Sequence, residues 1–452
     1  MASVFFQEAL LPHGFERNVR VAIADGVIER IEAGATPIAG EERHAIGLAG
    51  MPNLHSHAFQ RGMAGLAEVR GPQSDSFWTW REVMYRFALG LEPEDVEAVA
   101  AQLYVEMLEA GFTRVGEFHY LHHDRDGKPY ADPAEMSARI AAASAQTGIG
   151  LTLLPVFYAH GGFGGKPPND GQRRFVNDLD RFGRLVEQSR VALSGLEDAR
   201  LGVAPHSLRA VTAAELANLV PLAQGGPIHI HVAEQSKEVE DCVSWSGARP
   251  VEWLLAHAPV DRRWCLVHAT HMTREETRAV ASAGAVAGLC PITEANLGDG
   301  TFNASEFIEY GGEFGIGSDS HVFIGVADEL RQLEYSQRLR HRARNVMAQE
   351  EGRSTGRSLY QGALVGGTRA LGEAKFGLAE GARADFLSLD AEHPALVGRA
   401  GDALLDAFIF SAPGSIVDCV WRAGEKLVQG GRHRRREAIL ARFRAAMGRL
   451  LA

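Results

Sequence analysis

Residues Met51-Pro-Asn-Leu-His-Ser-His57 decide how this chain is read. A short apolar run ends on two histidines two positions apart, and side chains at i and i+2 of a strand project to the same face. Two imidazoles converging where a strand runs out can grip one metal ion. A lone H-x-H also arises by chance on surfaces and in packed cores, so its surroundings decide its weight. From Leu48 onward, short apolar runs alternate with helical stretches, the pattern of βα units and a parallel sheet. Eight runs stand out, at 47–54, 113–119, 150–156, 200–206, 227–232, 264–268, 285–290 and 314–319. Helical patterns at 94–110, 133–147, 173–188, 212–222, 273–283 and 329–344 fill gaps between them. Eight such repeats over roughly 270 residues predict an α/β fold of the (β/α)8 TIM-like barrel type. The alternative is a doubly wound sheet. No G-x-G-x-x-G follows a first strand, and the glycines of 161–165 lack the K-[ST] ending of a phosphate loop.

Outward from the barrel, both ends of the chain read as strands. The segments 19–24 and 26–32 suit a β-meander, and the pattern returns at 384–389, 416–422 and 425–428 with Gly377, Gly381 and Gly424 as turns. The expected organisation is a small β-sandwich domain from 1–47 and 373–452 flanking a barrel over 48–372. A final helix at 434–451 gathers Ile439, Leu440, Phe443, Met447 and Leu450 on one side. The 452 residues are 46% hydrophobic and 23% charged, which is ordinary globular composition. The net charge of −11 argues against nucleic acid or an anionic membrane as main partner, because those select basic stripes. It leaves room for a small anionic substrate met by local arginines. The basic cluster at 432–436 reads as the solvated start of the last helix. No apolar run approaches the ~18 residues of a membrane span. The opening MASVFFQEALLPHG lacks a basic n-region, and Gln7 and Glu8 interrupt it, so no signal peptide is expected. The four cysteines include no C-x-x-C pair, and Cys265 and Cys290 read as buried small hydrophobes. A reducing, cytoplasmic location is the expectation.

Histidine is the unusual feature, with 18 in the chain. His55 and His57 end the first expected barrel strand, and barrel enzymes keep their chemistry at such ends. In Pro227-Ile-His-Ile-His-Val-Ala-Glu234, apolar residues alternate with histidines. His231 is nearer the strand end and is the better ligand, while His229 reads as a satisfied core residue. Glu234 is either an ordinary loop glutamate or the carboxylate that a general base beside a metal requires. His268 ends the sixth strand. Asp319, in Gly-Ile-Gly-Ser-Asp-Ser-His, is either a helix cap or a ligand at the end of the eighth. Three histidines and an aspartate form a donor set suited to Zn²⁺, and Fe²⁺ or Mn²⁺ also accept it.

This constellation resembles the amidohydrolase superfamily of metal-dependent barrel hydrolases, and H-V-A-E at 231–234 looks like its one-metal deaminase branch. The resemblance implies His55, His57, His231 and Asp319 as ligands of one Zn²⁺ per subunit. It also implies Glu234 as proton shuttle, His268 as a catalytic group at the reacting centre, and Asp319 as the residue that orients the nucleophile. Two-metal members carry a bridging lysine on strand 4, and Val203-Ala-Pro-His206 has none. The longer segments HSHAFQRGMAG, SFWTWREVMY, VGEFHYLHH, GVAPHSLRAV and HVAEQ resemble the formimidoylglutamate deiminase family. That likeness implies hydrolysis of N-formimino-L-glutamate to N-formyl-L-glutamate and ammonia in histidine degradation. A dicarboxylate asks for arginine, which grips carboxylates bidentately. Arg81, expected in a Trp78-Thr-Trp-Arg81 loop, would form the clamp with Arg209, Gln60, Tyr120 and His206. Trp78 and Trp80 either line that loop or merely anchor it. The alternatives are a one-metal deaminase of guanine, an adenosine derivative or a triazine, and a barrel that binds without catalysis. A homodimer is expected by analogy with barrels of this type, with neither nucleic acid nor membrane as partner.

Overall fold

The computed structural model describes residues 2–71 and 75–452. Its barrel strands are, in order, Met51–Ser56, Phe112–His119, Gly150–Phe157, a fourth split into Arg200–Leu201 and Ala204–Pro205, then Ile228–Val232, Trp264–His268, Val286–Leu289 and Glu313–Ile316. They pair in parallel as two sheets, the first four positions in one and the last four in the other. Single parallel bridges span the two seams, Val203 to Ile228 and Ser207 to His231 on one side, Ser56 to Asp319 on the other. Every residue of the first, second, third, fifth and sixth strands is buried. That is why these strands read as continuous apolar runs: helices cover one face and the barrel interior fills the other.

The structure corrects several sequence boundaries. The expected strand 47–54 is two strands, Glu42–Ala49 and Met51–Ser56, in different sheets. Gly50 divides them, and a Cβ there would lie 2.2 Å from Thr113 Cγ2, so only glycine lets the chain cross this point. The fourth strand breaks at Gly202, where a Cβ would lie 2.3 Å from Pro227 O, and Pro205 offers no N–H to a ladder. Helix 173–188 instead spans Leu179–Ala192, because the Asp178 side chain caps it by accepting the Arg181 N–H. The Trp78-Thr-Trp-Arg81 loop is the first turn of a helix, Phe77–Gly90, capped by Ser76 with Thr79 reaching back.

The termini build one eight-stranded, mostly antiparallel sheet. The two ends of the chain meet where Phe386–Leu389 pairs with Glu42–Ala49. The sandwich takes the form of this single sheet curling over its own core. Phe6 on strand Ala2–Leu11 and Trp421 on Val417–Arg422 are three strands apart along it, yet their rings lie 6.5 Å from each other. The last helix, Arg436–Leu450, buries Ile439 and Ala446 and packs on helix Pro93–Glu109. The basic cluster before it is paired within the chain: Arg432 with Glu437, Arg434 with Glu425 and Arg436 with Glu109. Among the described residues no helix is long and apolar enough to cross a membrane.

A buried charge network joins the base of the barrel to the terminal sheet. Asp198 accepts from Arg114 of the second barrel strand at 2.6 Å, from Arg383 at 3.2 Å and from Arg422 of the terminal sheet. Burial opposes the Asp198 charge, but Arg422 and Arg114 outweigh it and hold the carboxyl at about 2. A native carboxyl held below its unfolded value of ~3.9 stabilises the fold above that value, and the gain is lost as pH falls through the native one. Asp198→Asn is therefore expected to cost about 2–3 kcal/mol near neutral pH, with the gap to wild type closing between pH ~4 and ~2. Urea melts across that range measure it, and a gap independent of pH would refute the account.

Candidate active site

The mouth of the barrel gathers the sequence-predicted residues. His55 and His57 lie on and just past the first strand, His231 on the fifth, His268 at the end of the sixth and Asp319 beyond the eighth. Backbone pairing sets the register: Asp319 N–H donates to His55 O at 3.1 Å, and His57 N–H to Asp319 O at 3.3 Å. Ala233, His268 and Asp319 take positive φ of 51°, 65° and 48°. Left-handed backbone costs non-glycine residues roughly 1–2 kcal/mol, and here it falls at three strand ends that carry chemistry.

His55 Nε2 lies 3.2 Å from His57 Nε2 and 3.0 Å from His231 Nε2, while Asp319 Oδ1 lies 3.4 and 3.3 Å from the first two. Donors around a four-coordinate ion at ~2.0–2.1 Å stand roughly 3.3–3.4 Å apart, so this set fits one divalent cation. The tautomers agree with that fit. His57 Nδ1–H donates to Phe118 O at 2.9 Å and His231 Nδ1–H to His206 O at 3.1 Å, which leaves both Nε2 atoms bare. Burial keeps the rings neutral: it pulls His57 down to about 3 and depresses His55 and His231 as well.

Glu234 and His268 face this cluster. His268 Nε2 lies 3.7 Å from Glu234 Oε1 and 3.8 Å from Asp319 Oδ2, and its Nδ1–H donates to Glu294 Oε1 at 3.2 Å. Burial alone would lower the His268 imidazolium, but Glu234, the Glu294 hydrogen bond and Asp319 raise it to about 10. Burial lifts Glu234 above the usual carboxylate range, against the pull of His268 and Arg209. The pair thus offers one cationic donor and one carboxyl able to exchange protons near neutral pH.

A cavity opens from these groups, and Gln60, Arg81, Tyr120, His206 and Arg209 all line it. His55 lies beneath it. Gln60 Nε2–H donates to Tyr120 Oη at 2.8 Å. Arg81 stacks on Trp78, its Cζ 4.6 Å from the ring, and Arg209 lies 5.7 Å from the same ring and 3.6 Å from Glu234 Oε2. Arg81 Nε and Arg209 Nη1 are buried without a partner. Trp80 lines the cavity and Trp78 is the platform beneath both arginines.

Several residues here escaped the sequence reading. Glu238 accepts the N–H groups of Ala233 and Glu234 and fixes the turn that presents Glu234. Glu294 accepts the Cys290 N–H at 2.8 Å while holding His268, and its place three residues after Pro291 was the available signal. His321 accepts the His57 N–H at 3.2 Å, and buried Glu117 takes Ser56 Oγ–H at 2.6 Å and Ala58 N–H at 2.7 Å. His229, by contrast, is the buried core residue the sequence indicated, with Nε2–H donated to Ala370 O at 2.7 Å.

Residues 46–427 match the amidohydrolase family, and the chain belongs to it. Its class is that of the metal-dependent hydrolases, whose chemistry needs such a donor cluster. Residues 1–45 match the N-terminal domain of formimidoylglutamate deiminase HutF. A formimidoylglutamate deiminase of Pseudomonas aeruginosa is 52% identical over 453 residues, covering 100% of both chains. The crystal structure of an amidohydrolase from Brucella melitensis superposes with a TM-score of 0.97 at 62% identity, covering 100% of each. An adenosine deaminase from Xanthomonas campestris with bound zinc shares the fold at a TM-score of 0.81 and 20% identity, covering 100% of this chain and 98% of that one.

Replacing one donor should weaken the ion's hold without unfolding the barrel. His231→Ala is expected to lower metal affinity by at least ~10-fold. Elemental analysis after dialysis against a weak chelator checks this, and wild-type metal content in the variant would remove His231 from the ligand set.

Proposed function

We propose that this chain hydrolyses N-formimino-L-glutamate to N-formyl-L-glutamate and ammonia, a step of histidine degradation, with one Zn²⁺ per chain. The observation that carries the reading is the pair of guanidinium groups, Arg81 and Arg209, whose buried unpartnered donors share a cavity with the histidine–aspartate cluster. A dicarboxylate uses such donors bidentately. A purine or triazine ring leaves at least one charge uncompensated, which disfavours the rival deaminases. The full-length likeness to the Pseudomonas aeruginosa deiminase supports the same substrate. No lysine lines the cavity among the described residues, in keeping with a single ion.

His55, His57, His231 and Asp319 would hold the ion, which when bound supplies Lewis acidity that makes water acidic near neutral pH. Asp319 orients the attacking water and Glu234 takes its proton. The water oxygen bonds to the formimino carbon, and the His268 Nε2–H donates to that oxygen as charge develops on it. Glu234 returns that proton to the imino nitrogen as the C=N π bond opens, then carries the remaining hydroxyl proton to the same nitrogen; the C–N bond breaks, the C=O of the formyl group forms, and ammonia leaves. Gln60, Tyr120, His206 and the two arginines hold the carboxylates. The barrel over 48–372 carries this chemistry, with 1–47 and 373–452 as its supporting domain, and a cytoplasmic homodimer completes the reading.

Ammonia release from N-formimino-L-glutamate, set against guanine, tests the substrate: release from guanine alone would overturn it. Glu234→Gln is expected to lower kcat by about 10²–10⁴-fold with metal retained. Near-normal turnover would remove Glu234 from its role. Arg81→Ala is expected to raise KM by about tenfold or more, and an unchanged KM would take it out of the clamp.

A further inference from the structure

Beyond the clamp, the cavity wall carries two tyrosines that the reaction does not yet use. Tyr85 and Tyr158 both line the cavity and both are buried. A chain of ring contacts leads to them from the metal cluster: His231 to His206 at 5.0 Å, His206 to Tyr158 at 4.6 Å, then Tyr158 and Tyr85 each to Phe175 at 5.9 Å. They therefore lie past His206, with one ring between Tyr158 and His231. Arg81 lies there too, its Cζ 5.5 Å from the Tyr85 ring. Burial and then Tyr85 push the Tyr158 phenol up while Arg209 and Arg81 pull it back, so it is a neutral phenol close to both guanidinium groups.

Gln172 fixes which way these hydroxyls can point. Its Oε1 accepts the backbone N–H of Asn169 at 2.8 Å, so the amide NH₂ must face the tyrosines. Its Nε2 donates to Tyr158 Oη at 2.5 Å and to Tyr85 Oη at 3.3 Å. Both phenol oxygens are thus acceptors toward Gln172; the two hydroxyls also hydrogen-bond each other, so the pair spends one O–H internally and keeps the other for an outside acceptor. Gln172 is 1% exposed and sits in the short turn Asp170–Gln172 capped by Asn169, so the orientation is rigid. A neutral donor from this pair beside Arg81 makes a place for a carboxylate.

We infer that the hydrogen-bonded pair Tyr85 and Tyr158, oriented by Gln172, donates its remaining O–H to the substrate carboxylate farther from the reacting carbon and thereby sets the length and charge of the acid accepted. The inference rests on the dicarboxylate reading above. Losing one hydrogen bond to a charged group corresponds to about tenfold in binding.

The test uses wild type, Tyr85→Phe, Tyr158→Phe and Gln172→Glu with three substrates: N-formimino-L-glutamate, its side-chain amide analogue N-formimino-L-glutamine, and the shorter N-formimino-L-aspartate. Each Phe variant is expected to raise KM for the glutamate substrate about tenfold with kcat nearly unchanged. KM for the amide analogue, whose carbonyl accepts only a neutral hydrogen bond, should rise several-fold less, and the preference for glutamate over the shorter aspartate should shrink. Gln172→Glu, which accepts where glutamine donates, should draw both phenol protons away and give the same loss. Thermal melts and metal content monitor folding, and if one Phe variant fails to fold the other decides alone. An active wild type whose Phe variants keep KM and selectivity, or lose equally on all three substrates, overturns this inference alone. A wild type inactive on N-formimino-L-glutamate overturns the proposed function and this inference together.

Discussion

Three imidazole nitrogens and a carboxylate oxygen meet at the barrel mouth with separations of 3.0–3.4 Å. Lone pairs that close repel unless a cation or a proton lies among them, and burial keeps each ring from taking a second proton. The protein must therefore hold the set together by other means, and the surrounding structure answers that need. The carbonyls of Phe118 and His206 orient two of the rings from neighbouring strands. The backbone bonds between Asp319 and His55 and His57 bring the eighth strand onto the first. A second layer holds those elements in turn: Asn53 bonds Ser318, Ser318 bonds His321, and His321 takes the His57 N–H. The bridge between Ser56 and Asp319 places residues over 260 positions apart in sequence within hydrogen-bond reach.

What could be read in the sequence follows from this arrangement. The strand period of two put His55 with His57 and separated His231 from its apolar neighbours, so the cluster was visible one strand at a time. The strands themselves were visible because burial on both faces demands unbroken apolar runs. The helix Phe77–Gly90 was not, since its cap pairs Ser76 with Thr79 in place of the usual acid and its aromatics fall on several sides. The boundary at Gly50 was hidden for another reason. Glu42–Ala49 and Met51–Ser56 are both apolar at the join, and what parts them is Thr113, which is remote in sequence. Glu238, Gln172 and His321 act through backbone N–H groups and hydroxyls that come together only in three dimensions.

Net charge did not foretell the cavity, because the chain is acidic overall while the cavity wall carries cations. Counting arginines does not resolve this, since buried arginines here do opposite things. Arg174 is fully buried, and its nitrogens donate to the carbonyls of His123, Ala88 and Leu91 and toward Tyr130 Oη. It is a structural bolt with little left to offer a ligand. Arg81 and Arg209 instead rest on an aromatic platform that supports the guanidinium plane and spends none of its hydrogens.

A buried donor without a partner costs about 1–3 kcal/mol, and this fold accepts that cost twice in one cavity. Such a site discriminates steeply, since a ligand that pairs both donors recovers what one lacking a carboxylate leaves unpaired. The same logic makes the tyrosine hydroxyls informative. Gln172 donates to both oxygens and the phenols bond each other, so the pair is left with a proton to give rather than a lone pair to receive one. An acceptor-rich, doubly anionic ligand is the complement of that wall, and the histidine–aspartate cluster next to it decides which of the ligand's bonds is broken.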